Sequence, residues 1–184
     1  MVLKILSGQK TQTRRIVKPS NGNASPETLS PWMINGVQET DRNGSPTWIG
    51  THPEYMTGSK WFSCPHGKNG DRLWLRETWC EGLSDTHECW GYRADMKYQC
   101  GKLIPDDGLK RWKPSIFMPR KYSRLTLEIT GVKVERVEDC SSEDAMAEGF
   151  NNWIEFIDYF YGLSPEYVGA NPWCWCIKFK KVEK

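Results

Sequence analysis

The sequence contains no run approaching eighteen consecutive apolar residues, so no segment reads as a membrane-spanning helix. It also lacks G-x-x-x-x-G-K-[ST], G-x-G-x-x-G and H-E-x-x-H, which argues against nucleotide-driven and zincin chemistry. The opening Met1-Val2-Leu3-Lys4-Ile5-Leu6 is too short for a secretory leader and runs into basic residues, so a cytoplasmic protein with no membrane partner is expected. Net charge is nearly absent: 25 Lys and Arg against 23 Asp and Glu leave +2, a sum that does not by itself indicate a nucleic-acid binder. Large side chains, in contrast, are plentiful. Hydrophobic residues make up 38% and aromatics 12%, too rich for a disordered tail. At 184 residues a chain buries about two-thirds of its unfolded surface, enough for a single domain over residues 1–184. Ten tryptophans predict a stacking surface in addition to a core.

The seven cysteines (Cys64, Cys80, Cys89, Cys100, Cys140, Cys174 and Cys176) are odd in number, include no C-x-x-C and show no disulfide rhythm. They read as reduced thiols, several packed as small hydrophobes. Cys64-Pro65-His66, Cys80, His87-Glu88-Cys89 and Cys100 match no common zinc spacing, and nothing orients a Cys–His nucleophile. Neither a metal nor a cofactor is expected.

Charge is patterned although its sum is small. Lys10, Arg14, Arg15 and Lys18 occur without an acid between residues 10 and 18. Lys110, Arg111, Lys113, Arg120, Lys121 and Arg124 do the same between residues 110 and 124, while acids collect from Glu135 to Glu148. Two basic segments that met would bind phosphates; two that stayed apart would be solvated faces.

Along the chain, Val2, Ile5 and Leu6 share a helix face closed by Gly8. Residues 8–17 read as a turn feeding a strand that Pro19 stops. Residues 19–63 are rich in Pro, Ser, Asn and Gly and read as an insertion with small β elements, its Asn35-Gly36 suggesting a tight hairpin. A strand is expected over Arg72–Trp79, with Leu73, Leu75, Glu77 and Trp79 on one side. Residues 81–122 read as loop-rich, with a short strand at Trp90–Ala94. Leu125, Leu127 and Ile129 alternate as a strand whose phase shifts at Gly131, as a β-bulge would cause. Ser141 and Asn152 cap two helices, ending at Gly149 and Gly162, and Trp153, Phe156, Ile157 and Phe160 form the apolar stripe of the second. A strand from Trp173 to Val182 finishes a mostly β, α+β chain, which favours a small barrel with two short helices.

Certain positions break local rules. Gly8-x-Lys10-x-x-Thr13-x-Arg15 presents an amine, a hydroxyl and a guanidinium within a few residues, suited to an anionic or carbonyl-bearing ligand, or else to a basic surface strand. Glu148 ends a helix, where the dipole disfavours a carboxylate by roughly 0.3–1 kcal/mol unless a cation such as Lys10 or Arg15 lies opposite. Glu77 shares the parity of leucines and needs a partner, for which a salt bridge to an arginine is favoured over a ligand.

Gly8-Gln9-Lys10-Thr11-Gln12-Thr13-Arg14-Arg15 resembles the G-x-K-x-x-T-x-R signature of ASCH domains, small β-barrels of the PUA-like superfamily. Gly70 to Thr78 looks like the G-D-x-L-W-x-R-E-T strand of the phage and prophage branch. Met118-Pro119-Arg120, Ser123 to Leu127, Ala145 to Phe150 and Asn171-Pro172-Trp173 match that branch in order. The resemblance implies a PUA-like barrel with a family-variable insertion at 19–63 and a long loop region at 81–122. It implies a nucleic-acid-binding module, RNA first and DNA second, with Arg14, Arg15, Arg76, Glu77, Arg120 and Arg124 at the ligand. By similarity to a small amidohydrolase of the family that deacetylates N4-acetylcytidine, it also implies a catalytic trio of Lys10, Thr13 and Glu148. There Thr13 would attack the acetyl carbonyl and Lys10, its pKa lowered by burial or Arg15, would take the proton. Strict strand parity places Lys10 and Thr13 on opposite faces, so that trio requires a turn at Lys10-Thr11. A third reading is a phage interaction module with a vestigial pocket.

Overall fold

The computed structural model describes residues 1–18, 35–40, 46–52, 55–82, 89–105 and 111–182, of which 35–40, 46–52 and 55–63 are described as backbone strands. The strands are β1 (Gln12–Ile16), β2 (Asn35–Thr40), β3 (Pro46–His52), β4 (Tyr55–Ser63), β5 (Arg72–Trp74), β6 (Trp79–Gly82), β7 (Cys89–Tyr92), β8 (Lys97–Tyr98), β9 (Thr126–Arg136) and β10 (Trp173–Val182). The helices are α1 (Val2–Leu6), α2 (Ser142–Ala147) and α3 (Trp153–Leu163), with single 3-10 turns between. The chain is thus α+β and mostly strand, and the sheet ordered β1-β10-β9-β5 curls as half a barrel. Among the described residues, no helix is long and apolar enough to cross a membrane.

Contacts divide the chain into two compact units. One comprises Met1–Gly8, Arg72–Leu127 and Lys181–Lys184; the other comprises Gln9–Asp71 and Glu128–Lys180. The two basic segments fall in different units.

In the second unit β1 pairs antiparallel with β10, Thr13 opposite Ile177 and Arg15 opposite Trp175. Strand β10 runs over the expected span, but Cys174 to Ile177 are all buried, because both faces of this central strand are covered. Burial along β9 falls on Leu127 and Ile129 and then on Val132, so the phase changes across Gly131 as the alternation predicted. Both helix caps form: the Ser141 hydroxyl accepts from the Asp144 amide and the Asn152 side-chain Oδ1 accepts from the Glu155 amide. Phe156 anchors a core with Val137, Cys140, Ala145, Phe150 and Cys174, against which Trp153, Ile157 and Phe160 pack. Helix α3 does not stop at Gly162. It continues to Leu163 and ends at Ser164 (φ −142°), because the following Pro165 cannot extend it.

The backbone of residues 35–63 supports the expected small β elements, with β2, β3 and β4 forming an antiparallel three-stranded sheet. Asn35-Gly36 is not its turn. These residues open β2, Asn35 faces Ile49, and the register is irregular before Glu39. The remainder of 19–63 lies outside the described residues, as do residues 83–88 and 106–110 of the loop region.

In the first unit Ile5 buries one side of α1, and Gly8 closes it with φ +78° as its amide reaches the Ile5 carbonyl. The strand expected over 72–79 is interrupted. After β5, the Leu75 amide still bonds the Leu125 carbonyl (3.0 Å), but the Glu77 amide donates to the Met118 sulfur (3.1 Å), outside any strand ladder. Alternation alone cannot register such a break. The region expected to be loop-rich holds a three-stranded sheet, β6-β7-β8, with Cys80 opposite Gly91 and Gly91 opposite Tyr98. Its strands are too short to show a period. Trp79, Tyr92 and Met118 form the core beneath it.

Candidate functional site

The site residues of the second unit are placed by two backbone clamps. Helix α2 ends in a Schellman turn: the Phe150 amide bonds the Ala145 carbonyl and the Gly149 amide bonds the Met146 carbonyl. Gly149 has φ +90°, a conformation glycine takes without strain, and this leaves Glu148 at the helix cap. The Thr11 amide then donates to the Ala147 carbonyl (2.8 Å), while the Thr11 carbonyl accepts from Phe179 of β10 (2.8 Å). The segment entering β1 is therefore fastened to the end of α2.

Lys10 is brought to Glu148 by that fastening. Its Nζ donates to Glu148 Oε2 (2.8 Å) and to the Glu148 carbonyl (2.7 Å), with both residues buried. The amine thus meets both the disfavoured carboxylate and an unpaired carbonyl of the helix end. Arg14, not Arg15, is the second cation. Its guanidinium bonds Glu148 Oε1 (3.3 Å), Asp144 (3.1 Å) and Glu135, and lies over the Phe156 ring. Lys133 adds a further amine on Glu135 and Asp144. The Cys176 thiol donates to Glu135 Oε1 (3.1 Å).

Burial lowers the Lys10 pKa, and the attraction of Glu148 only partly offsets it; Arg15 and Arg14 lower it further. The amine donates two N–H bonds to Glu148, and the downward shift brings closer the neutral form whose lone pair a general base needs. Burial works against the charges of Glu135 and Asp144, but Lys133 and Arg14 outweigh it and hold both carboxyls below their ordinary range. Burial pushes the neighbouring thiols up, Cys140 to about 11 and Cys174 to about 12, so they are protonated packing groups at neutral pH.

Gln12 and Arg14 are buried on one face of β1, whereas Thr13 has the opposite parity and its hydroxyl accepts from Arg15 (2.9 Å). Arg15 is exposed, its guanidinium also bonding the Arg14 carbonyl, and burial together with its charge lowers the His66 pKa. The composition of the sequence did not single out Gln12, Glu135 or Asp144. Gln12 is fully buried, and among the described residues neither atom of its amide has a hydrogen-bond partner. It sits between Lys10 and Arg14, both bound to Glu148, and the i, i+2 spacing Lys10-Gln12-Arg14 was the available signal.

The remaining predicted residues belong to the first unit. Glu77, 1% exposed, has the arginine its parity demanded: Arg124 donates from Nε to Oε1 (2.9 Å) and from a terminal nitrogen to Oε2 (2.8 Å). The other terminal nitrogen binds Asp95 (2.7 Å), and the guanidinium stacks on Tyr92 at 3.9 Å. Arg124 is therefore committed to carboxylates. Arg76 and Arg120 are not; both are exposed, without a carboxylate partner among the described residues, and both lie over Trp74, at 4.8 and 5.5 Å from its ring. Arg76 reaches only the Ile116 carbonyl (3.3 Å), beside Phe117, which is 70% exposed.

The described residues thus hold a buried amine–carboxylate pair in one unit and, in the other, an indole flanked by two exposed guanidiniums with no carboxylate partner among those residues. No protein-family model, curated protein or solved structure matches the chain.

Proposed function

We propose that this protein is a nucleic-acid-binding module of the ASCH type on a PUA-like fold, with single-stranded RNA its first ligand and DNA its second. The observation that carries the reading is the convergence of Arg76 and Arg120 on Trp74, two exposed cations at one indole with no acid partner among the described residues. Like charges gathered on an aromatic face suit phosphates beside a stacked base. Exposed Phe117 adds apolar surface next in sequence to Ile116, whose carbonyl Arg76 reaches. In the same unit Arg124 holds Glu77 and Asp95.

The test is fluorescence anisotropy with short single-stranded RNA and DNA over a salt series. Affinity should fall with salt. Replacing Arg76 and Arg120 together by alanine should reduce the log–log salt slope by about 1.4, at roughly 0.7 per phosphate contact. Trp74→Ala should weaken binding by about 1–3 kcal/mol. Absence of salt-sensitive binding to either nucleic acid refutes the reading.

A second reading, an amidohydrolase on an acylated nucleoside such as N4-acetylcytidine, is favoured by the lowered pKa of Lys10 against Glu148 and by the buried Gln12 amide, which has no partner among the described residues. Free N4-acetylcytidine would be consumed, and Lys10→Ala or Glu148→Ala would abolish turnover. With Thr13 held by Arg15, Thr13→Ala should leave turnover measurable. A folded wild-type protein that leaves the nucleoside intact ends this reading.

A further inference from the structure

The β6-β7-β8 sheet contains a thiol pair that neither functional reading uses. Strands β7 and β8 pair Gly91 with Tyr98 and Tyr92 with Lys97. The Gln99 amide continues to the Trp90 carbonyl (2.9 Å), which brings Cys89, at the start of β7, level with Cys100. Their sulfurs lie 3.7 Å apart. A turn closed by the Gly101 amide on the Tyr98 carbonyl (2.9 Å) presents Cys100 on the surface, while Cys89 is half-buried behind it. We propose that Cys89 and Cys100 are an oxidative modification site: a hydroperoxide oxidises Cys100, and Cys89 resolves the product to a reversible intramolecular disulfide.

The atoms balance. The Cys100 thiolate attacks one oxygen of the peroxide, the O–O bond breaks, and Cys100 becomes a sulfenic acid as the other oxygen leaves as water or alcohol. The Cys89 sulfur then attacks the Cys100 sulfur, the S–O bond breaks, and water departs with the Cys89 proton. The peroxide is reduced, and two thiols are oxidised to one disulfide.

The division of roles follows from environment. The Lys102 amide lowers the pKa of the exposed Cys100 thiol, with hydrogen bonding to Cys89 in support, so its thiolate fraction is raised where peroxide has access. Burial raises the pKa of Cys89, which suits the partner that waits for the sulfenic acid. The competing thiols are worse placed. Cys80, Cys140, Cys174 and Cys176 are buried, and burial raises the pKa of Cys64. Bond formation draws the sulfurs from 3.7 Å to about 2.05 Å. That closes a loop of some ten residues across two strands already in register.

The experiment is titration of the reduced full-length chain with hydrogen peroxide, followed by non-reducing peptide mapping. The expected first product is a Cys89–Cys100 disulfide within one chain, reversed by dithiothreitol. In Cys89→Ser, dimedone should label Cys100; in Cys100→Ser, peroxide consumption by the first thiol should slow at least tenfold. Cross-linking a loop of this length should raise the melting temperature by about 5–10 °C over the reduced chain. Prior oxidation of another cysteine, linkage between chains, over-oxidation of Cys100 without a bond to Cys89, or an unchanged melting temperature would each overturn the proposal.

Discussion

The Lys10–Glu148 couple predicts an asymmetry between its two partners. Glu148 is 3% exposed and answers two buried cations, Lys10 at 2.8 Å and Arg14 at 3.3 Å. Glu148→Leu leaves Arg14 with Glu135 and Asp144, but leaves Lys10 with a single backbone carbonyl among the described residues. Removing one partner of a buried pair costs about 3–5 kcal/mol, and because the amine can shed its proton we expect the low end. At about 2–4 °C per kcal/mol for a chain of this size, the melting temperature should fall by roughly 6–12 °C. Lys10→Met removes a cation whose burial already outweighs its attraction to Glu148, and Glu148 keeps Arg14, so its cost should stay within about 1 kcal/mol. The double variant should recover most of the Glu148→Leu loss, giving a coupling of about 2 kcal/mol. The pH dependence has a definite sign. Between the lowered folded-state pKa of Lys10 and its ordinary value of 10.5, the unfolded chain holds more protons than the folded one. Wild-type stability therefore gains a rising contribution with pH through that window, absent in Lys10→Met. Urea unfolding at neutral pH and near pH 10 measures all of these. Glu148→Leu within about 1 kcal/mol of wild type, or Lys10→Met as costly as Glu148→Leu, would refute the reasoning.

Two further outcomes concern Gln12 of β1 and the carboxylates that bind Arg14. Gln12→Leu removes a buried amide with no partner among the described residues and keeps its volume, so the melting temperature should be unchanged or higher, and a loss above about 2 kcal/mol would mean the amide is satisfied in solution. Glu135 and Asp144 titrate below their ordinary values of 4.5 and 3.8, so their contribution is fully present above those values and is lost as pH falls through the depressed ones. Lys133→Met should then lower the melting temperature at neutral pH and converge on wild type in acid; a difference that persists in acid would assign Lys133 a packing role instead.

Elements with a long period or a cap were legible in the sequence. The stripe of Trp153, Phe156, Ile157 and Phe160, the Ser141 and Asn152 caps and the span of β10 need only neighbouring residues to be specified, and each forms where those residues placed it. Elements set by distant partners were not. The break after Trp74 depends on Met118 receiving the Glu77 amide, and a sequence window around Leu75 contains no trace of that sulfur. Asn35-Gly36 carries hairpin chemistry but starts a strand, because pairing with Ile49 overrides local turn preference. Glu77 was recognisable as a residue in need of an arginine, whereas the identity of that arginine, Arg124, forty-seven positions away, was not.

The sequence alone settled that Glu148 sits where a helix dipole opposes it, that Glu77 cannot be buried alone, and that cations cluster in two acid-free runs, since each depends only on residue type and short-range spacing. Tertiary structure decided which charges meet. The Thr11–Ala147 and Thr11–Phe179 hydrogen bonds bring Lys10 to Glu148, and β1 parity gives Arg14 to the same carboxylate and leaves Thr13 with Arg15. Electrostatic partnership depends on distances of a few ångströms between residues more than a hundred positions apart, and only a folded backbone fixes those.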